Sequence, residues 1–197
     1  MYKRFFKRFI DIIVSLLGLL VLLLPMLIFA LIVKLDSKGP VLFWQKRVGK
    51  DKKIFMMPKF RTMYVDTPAE VATHLLTDPT AHITKVGKIY RKLSIDELPQ
   101  LISIFIGHMS IIGPRPALWN QFDLIEERDK YGANSVRPGL TGWAQINGRD
   151  ELPIDVKAKF DGEYIEKLSF SFDMKCFFGT IRKVLCGQGV VEGEQKN

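Results

Sequence analysis

The apolar positions of this chain change period twice, and those changes divide it. Residues 12–33 are almost entirely Leu, Ile, Val, Phe and Met and carry no charge, which meets the ~20 residues that a membrane-spanning helix needs. The run continues into Lys34, Leu35 and Asp36 without a small-residue cleavage site, so the anchor is expected to be retained. Residues 40–64 are rich in aromatic and β-branched side chains and punctuated by Gly39-Pro40, Gly49 and Pro58, the pattern of a short hairpin or irregular strands. The polar stretch 66–84, with Pro68 and Pro79, reads as a surface loop with one helical turn.

Helical spacing returns at 86–93 and 96–106, followed by the turn Gly113-Pro114-Arg115-Pro116. The next segment sets Leu118, Phe122 and Ile125 on one face and Glu126, Glu127, Arg128 and Asp129 toward the other, with Gly132 as a C-terminal stop. Residues 137–149 are Gly-rich and irregular, and helices are expected at about 154–168 and 173–185. The last carries a stripe of Met174, Phe177, Phe178, Ile181 and Val184 or Leu185 beside Lys175, Arg182 and Lys183. That stripe suits a helix lying on a membrane surface or one facing a core. The expected fold is α/β, mostly helical with a small β-hairpin or sheet. It comprises an anchor over 1–36, a main domain over 37–186 and a disordered tail over 187–197.

The anchor admits two topologies. Basic residues flank both ends, Lys3, Arg4, Lys7 and Arg8 before the run and Lys34, Lys38, Lys46 and Arg47 after it, so both ends are drawn toward the cytoplasm. Pro25 removes a backbone hydrogen bond and predicts a break. It leaves halves of roughly 20 and 13 Å, each about one leaflet deep. A re-entrant helix hairpin satisfies both observations; an ordinary kinked spanning helix is the alternative. Arg8 and Asp11, three residues apart, are expected to pair on one face at the interface.

Charge adds a partner class. The 29 Lys+Arg against 21 Asp+Glu leave +8, which favours a phospholipid surface, a phosphorylated substrate or nucleic acid. Nucleic acid is disfavoured because the cations are dispersed rather than clustered among aromatics. Cys176 and Cys186 lack metal-site spacing and read as packing residues in a reducing compartment. His74, His82 and His108 form no triad or ligand spacing, which leaves Ser-His-Asp hydrolysis without support.

Candidate chemistry centres on Arg91-Lys92-Leu93-Ser94-Ile95-Asp96-Glu97-Leu98-Pro99-Gln100. Ser94 and Glu97 have the spacing of a capping box, with Asp96 complementing the helix dipole. The same geometry offers an ionised carboxylate at a helix start, able to act as a covalent nucleophile on phosphorus. Lys59, Arg61, Arg91, Arg115 and Arg137 are cations that could serve it. Prolines stiffen the turns carrying Arg115 and Arg137, and a stiff donor fork suits phosphate. Trp143, Gln145 and Asn147 are candidates for contacting a base or sugar.

These residues resemble the monotopic phosphoglycosyl transferases, a family of bacterial sugar transferases. The likeness is carried by Lys7-Arg8-Phe9-Ile10-Asp11, by Gly39-Pro40-Val41-Leu42-Phe43 with Gln45, Arg47 and Gly49, and by Lys59-Phe60-Arg61-Thr62-Met63. It continues through Ile83-Thr84-Lys85-Val86-Gly87, residues 94–101, residues 109–116 and residues 136–149. The resemblance implies a small member: a re-entrant membrane hairpin, an α/β domain on the cytoplasmic face of the bacterial inner membrane, and transfer of a sugar 1-phosphate from a UDP-sugar to polyprenyl phosphate with release of UMP. It implies Asp96 as nucleophile and Glu97 as its assistant. Both would bind Mg2+, with Lys59, Arg91, Arg115 and Arg137 on phosphate and Asp161 in an acidic family position. It further points to an N-acetylated hexosamine and a homodimer. The chain departs from the family in having Leu24-Pro25 where Ser-Pro is common. A non-catalytic scaffold of polysaccharide assembly, with Asp96-Glu97 as a mere helix cap, is the competing expectation.

Overall fold

One face of the N-terminal helix determines how the rest of the chain is arranged. In the computed structural model, which describes residues 1–68, 79–148 and 152–185, a π turn at Tyr2–Phe6 leads into α1, Lys7–Asp36. Among the described residues, α1 is the one helix long and apolar enough to cross a membrane. Its inward positions, Asp11, Ser15, Gly18, Met26, Phe29, Ala30 and Val33, recur at helical spacing and lie against the globular part. The remaining faces expose Leu17, Leu20, Val21, Leu24, Leu27 and Leu31. The break expected at Pro25 is not an interruption, because the helix continues on both sides of it. A proline deletes one hydrogen bond, which a helix of this length tolerates when its neighbours stay bonded in apolar surroundings.

The expected hairpin is present: β1, Leu42–Val48, pairs antiparallel with β2, Ile54–Phe60, with Lys46 opposite Met56. Alternation turns Phe55 and Met57 into the core and leaves Trp44, Ile54 and Met56 outward. Of the 66–84 stretch, the described part ends in a single helical turn, α2, Pro79–His82. Thr84 then caps α3, Lys85–Lys92, its hydroxyl accepting from Gly87 N. A 3-10 turn, Ile95–Glu97, precedes α4, Gln100–Ile106, so the helix expected over 96–106 is split there.

Two strands were missed in the sequence. β3, Ser110–Ile112, pairs in parallel with β4, Gly139–Thr141, so part of the stretch read as irregular is sheet. Three residues each are too few for a period-2 signal. Gly139 and Gly142 pack against Gly113, where a Cβ would fall 2.1 Å from backbone. α5, Phe122–Asp129, buries Leu124 and Arg128; of the expected Leu118–Phe122–Ile125 face, Leu118 and Ile125 turn inward while Phe122 is exposed. Leu118 lies before the helix and bridges to Arg47.

α6, Trp143–Ile146, α7, Ile154–Lys167, and α8, Phe170–Leu185, complete the chain. α8 turns Asp173 and Cys176 inward and leaves Phe177, Phe178 and Ile181 exposed, so the stripe does not face the core. His74, Arg149, Cys186 and the expected tail lie outside the described residues.

Candidate active site

The site forms where β2 meets the turn between α3 and α4. Alternation along β2 and its extension brings Lys59 to the front of the turn, and Thr62 lies three residues on. Gly87 lets α3 press onto that segment: a Cβ there would come 2.1 Å from the Thr62 carbonyl oxygen. The close approach allows Arg91 Nε to donate to Thr62 Oγ1 at 2.9 Å. Ser94 takes a left-handed conformation, φ 56°, and its side chain makes no cap. The capping box is therefore not formed, and Glu97 turns to Lys59 and Arg115 instead.

Glu97 is the centre of the cluster. Its Oε1 accepts from Lys59 Nζ and from Arg115 Nη2, both at 2.9 Å. Asp96 Oδ2 lies 4.0 Å from Lys59 Nζ. Asp96 and Glu97 are both at the edge of burial, 8% and 9% exposed, so water screens these interactions weakly. Burial pushes the Asp96 carboxyl above its usual range, and Glu97 adds to this, while Lys59, Arg91 and Arg115 pull it back. Burial likewise lowers Lys59, with Glu97 and Asp96 opposing it and Arg115 and Arg47 adding to it. Arg47 also builds the turn, donating to the Pro116 carbonyl at 2.8 Å while Gln45 holds its other edge.

The other candidates lie elsewhere. Arg61 is buried and donates to the carbonyls of Lys38 and Ser37, closing the C-terminus of α1. Arg137 Nε donates to the Gly107 carbonyl at 2.8 Å, beyond the far end of α4. Asp161 is buried in an ion pair with Arg128, 2.6 Å, that ties α7 to α5. Gln145 is buried near Gly142, and neither amide atom has a partner among the described residues. Asn147 donates to the Trp143 carbonyl, and Trp143 packs on Phe172 with Lys175 4.7 Å above its ring.

Arg8 and Asp11 do not pair with each other. Arg8 donates to the carbonyls of Ile104 and Phe105, at 2.6 and 2.7 Å. Asp11 accepts from Ser110 Oγ and Ile111 N, at 3.1 and 3.0 Å. A further anchor carried no sequence signal: buried Asp173 accepts from Tyr2, Lys7 and Tyr164, at 2.6, 2.6 and 2.8 Å. Its partners are up to 171 residues away.

A buried carboxylate pair beside Lys59, Arg91 and Arg115, on a domain packed against a long apolar helix, makes a candidate site for an anionic group in a membrane-associated class of protein. The chain matches the bacterial sugar transferase family over residues 2–187 and belongs to it. It is similar to the uncharacterized sugar transferase EpsL of Bacillus subtilis strain 168, 42% identical over 159 residues, 81% of this chain and 77% of that protein. It is similar also to the UDP-glucose:undecaprenyl-phosphate glucose-1-phosphate transferase of Escherichia coli strain K12, 42% identical over 188 residues, 92% of this chain and 40% of that protein. The exopolysaccharide production protein PSS of Rhizobium leguminosarum bv. phaseoli is 40% identical over 187 residues, 89% of this chain and 92% of that protein. The chain thus spans less than half of the Escherichia coli relative and most of the other two.

Proposed function

We propose that this chain transfers a sugar 1-phosphate from a UDP-sugar to undecaprenyl phosphate, at the cytoplasmic face of the bacterial inner membrane, as the first step of a polysaccharide or related glycan. The observation that carries the reading is Asp96 beside a Glu97 shared by Lys59 and Arg115. The activity named for the Escherichia coli relative agrees with it.

In the proposed chemistry an Asp96 carboxylate oxygen attacks the phosphorus that bears the sugar. The phosphoanhydride bond breaks, UMP leaves with the bonding electrons, and an aspartyl phosphosugar remains. A phosphate oxygen of the polyprenyl carrier then attacks the same phosphorus and expels the Asp96 carboxylate. An acyl phosphate conserves the activation of the original diphosphate, so neither step is steeply uphill. Lys59, Arg91 and Arg115 offset the charge on the phosphoryl oxygens, and Glu97 holds two of these cations in place.

Magnesium fits this donor set. It takes one or two carboxylates and completes its shell with phosphate oxygens and water, and among the described residues no closed group of three or more His, Cys, Asp or Glu exists. Asp96 and Glu97 would hold the ion, which would supply charge neutralisation on the diphosphate. Arg61, Arg137 and Asp161 are bonded away from this cluster and are not assigned to the diphosphate.

The re-entrant topology belongs to the same proposal. Tyr2 and Lys7 are held by Asp173 at one end of α1, and Ser37 and Lys38 by Arg61 at the other. Both ends meeting one domain supports their lying at one membrane face. A non-catalytic scaffold is less well supported, since its helix cap at Ser94 is not made.

The test is UMP release by detergent-purified protein with magnesium, undecaprenyl phosphate and a panel of UDP-sugars, including N-acetylated hexosamines, beside Asp96→Asn. Release with one donor that is lost in the variant is expected. Folded protein that releases UMP from none of them, or an equally active variant, overturns the reading.

A further inference from the structure

The far end of α4 gathers two guanidinium groups that the proposed chemistry does not use. Arg8 reaches the Ile104 and Phe105 carbonyls, and Arg137 Nε reaches that of Gly107. They flank Gly107, where a Cβ would stand 3.1 Å from Arg8 Nη2 and 3.9 Å from Arg137 Nε. The two groups are close enough to repel one another. Among the described residues neither forms an ion pair with a carboxylate, and the terminal nitrogens of Arg137 have no hydrogen-bond partner. Asp11 lies near enough to act on Arg8 but spends its hydrogen bonds on Ser110 and Ile111, and this one carboxylate with three carbonyl oxygens offsets only part of two full charges, so the arrangement favours an added anion.

The surroundings select which anion. Phe5, Phe9, Phe105 and Ile106 are exposed by 70%, 61%, 39% and 57%. They lie beside Arg8 or its carbonyl partners in the chain. Arg8 precedes by one helical turn the uncharged run that begins at Ile12. Cations at the end of an apolar segment, bordered by aromatic side chains, fit the depth of lipid headgroups. The seven-residue α4, roughly 10 Å long, separates this spot from the Asp96–Glu97 turn.

We propose that Arg8 and Arg137 form a binding site for the phosphate of a bilayer phospholipid headgroup, distinct from the Asp96 site. The headgroup phosphodiester receives the free Arg137 donors with Arg8 beside them, and the acyl chains run along Phe5, Phe9 and Ile106. Such a lipid fixes the domain against the bilayer at the start of α1 without entering the reaction.

Native mass spectrometry of the full chain released from detergent, with phosphatidylglycerol added, tests this against Arg137→Gln and Arg137→Lys. The wild type is expected to retain one bound phosphatidylglycerol. Arg137→Gln should hold it about tenfold more weakly, the effect of losing one charge-assisted hydrogen bond, and Arg137→Lys should fall between. Circular dichroism and unchanged melting of lipid-free Arg137→Gln check that the fold survives, and Arg8→Lys serves as a second variant should it not. Equal lipid retention by folded wild type and variants overturns the proposal. Displacement of the lipid by polyprenyl phosphate assigns the site to the acceptor instead, and displacement by inorganic phosphate alone shows an anion site without lipid selectivity; both also overturn it.

Discussion

Lys59 Nζ lies 2.9 Å from Glu97 Oε1 and 4.0 Å from Asp96 Oδ2, so one largely buried ammonium serves two adjacent carboxylates. Arg115 takes the same Glu97 oxygen, which leaves Asp96 as the carboxylate less engaged by direct hydrogen bonds. Under the proposed chemistry this asymmetry makes Glu97 the scaffolding acid and Asp96 the reacting one, and it sets the expected behaviour of each variant.

Asp96 carries a raised pKa, chiefly from burial, so its ionisation opposes folding. The stability linked to its protonated form is present below the unfolded carboxyl pKa of about 3.9 and is lost as pH rises through the higher folded value. Asp96→Asn should therefore melt higher than wild type at neutral pH, with the gain vanishing near pH 4 or below, while UMP release falls by roughly a thousandfold or more. Melting curves across pH and a UMP assay read both effects.

The same ionisation governs the pH profile. The acid limb of kcat/KM reports the free enzyme's essential base, and it should lie above the ordinary Asp value of about 3.9. Lys59→Met removes the cation that most strongly draws Asp96 back down, so it should move that limb to higher pH as well as lowering the rate. An unmoved limb would separate Asp96 from the observed titration.

Gly87→Ala places a Cβ 2.1 Å from the Thr62 carbonyl oxygen, so α3 must move off the end of β2. The cost should be about 1–3 kcal/mol, typical of overpacking. Arg91 should lose its bond to Thr62 and activity should fall, since Arg91 is carried by the displaced helix. Thermal unfolding together with UMP release checks the pair of effects.

Lys3→Cys and Lys38→Cys flank α1 and lie near the two points where its ends meet the domain. In intact cells, a membrane-impermeant thiol reagent should spare both, and both should react once the inner membrane is opened. Labelling of one residue from the outside would show that the helix crosses.

Much of this protein is legible locally. The apolar run, the hairpin between Gly39 and Tyr64, and the Asp96–Glu97 pair depend on patterns within a few residues, and local pattern is what periodicity and turn chemistry record. The same proline signal marks Arg115, which meets the carboxylate pair, and Arg137, which donates to the Gly107 carbonyl beyond the far end of α4. A proline pair shows that a side chain is presented rigidly but not what it faces.

By itself the sequence determined that an apolar anchor precedes a small α/β domain and that a carboxylate pair stands among dispersed cations. Only the tertiary structure decided which cations meet the pair. It gave Arg61 to the end of α1 and Asp161 to Arg128, and it separated Arg8 from Asp11. It also revealed Asp173 as the acceptor for Tyr2, Lys7 and Tyr164. The physical reason is range: a buried charge takes the partner that packing places within about 3 Å, and here all of those partners but Tyr164 are tens to more than a hundred residues away in the chain.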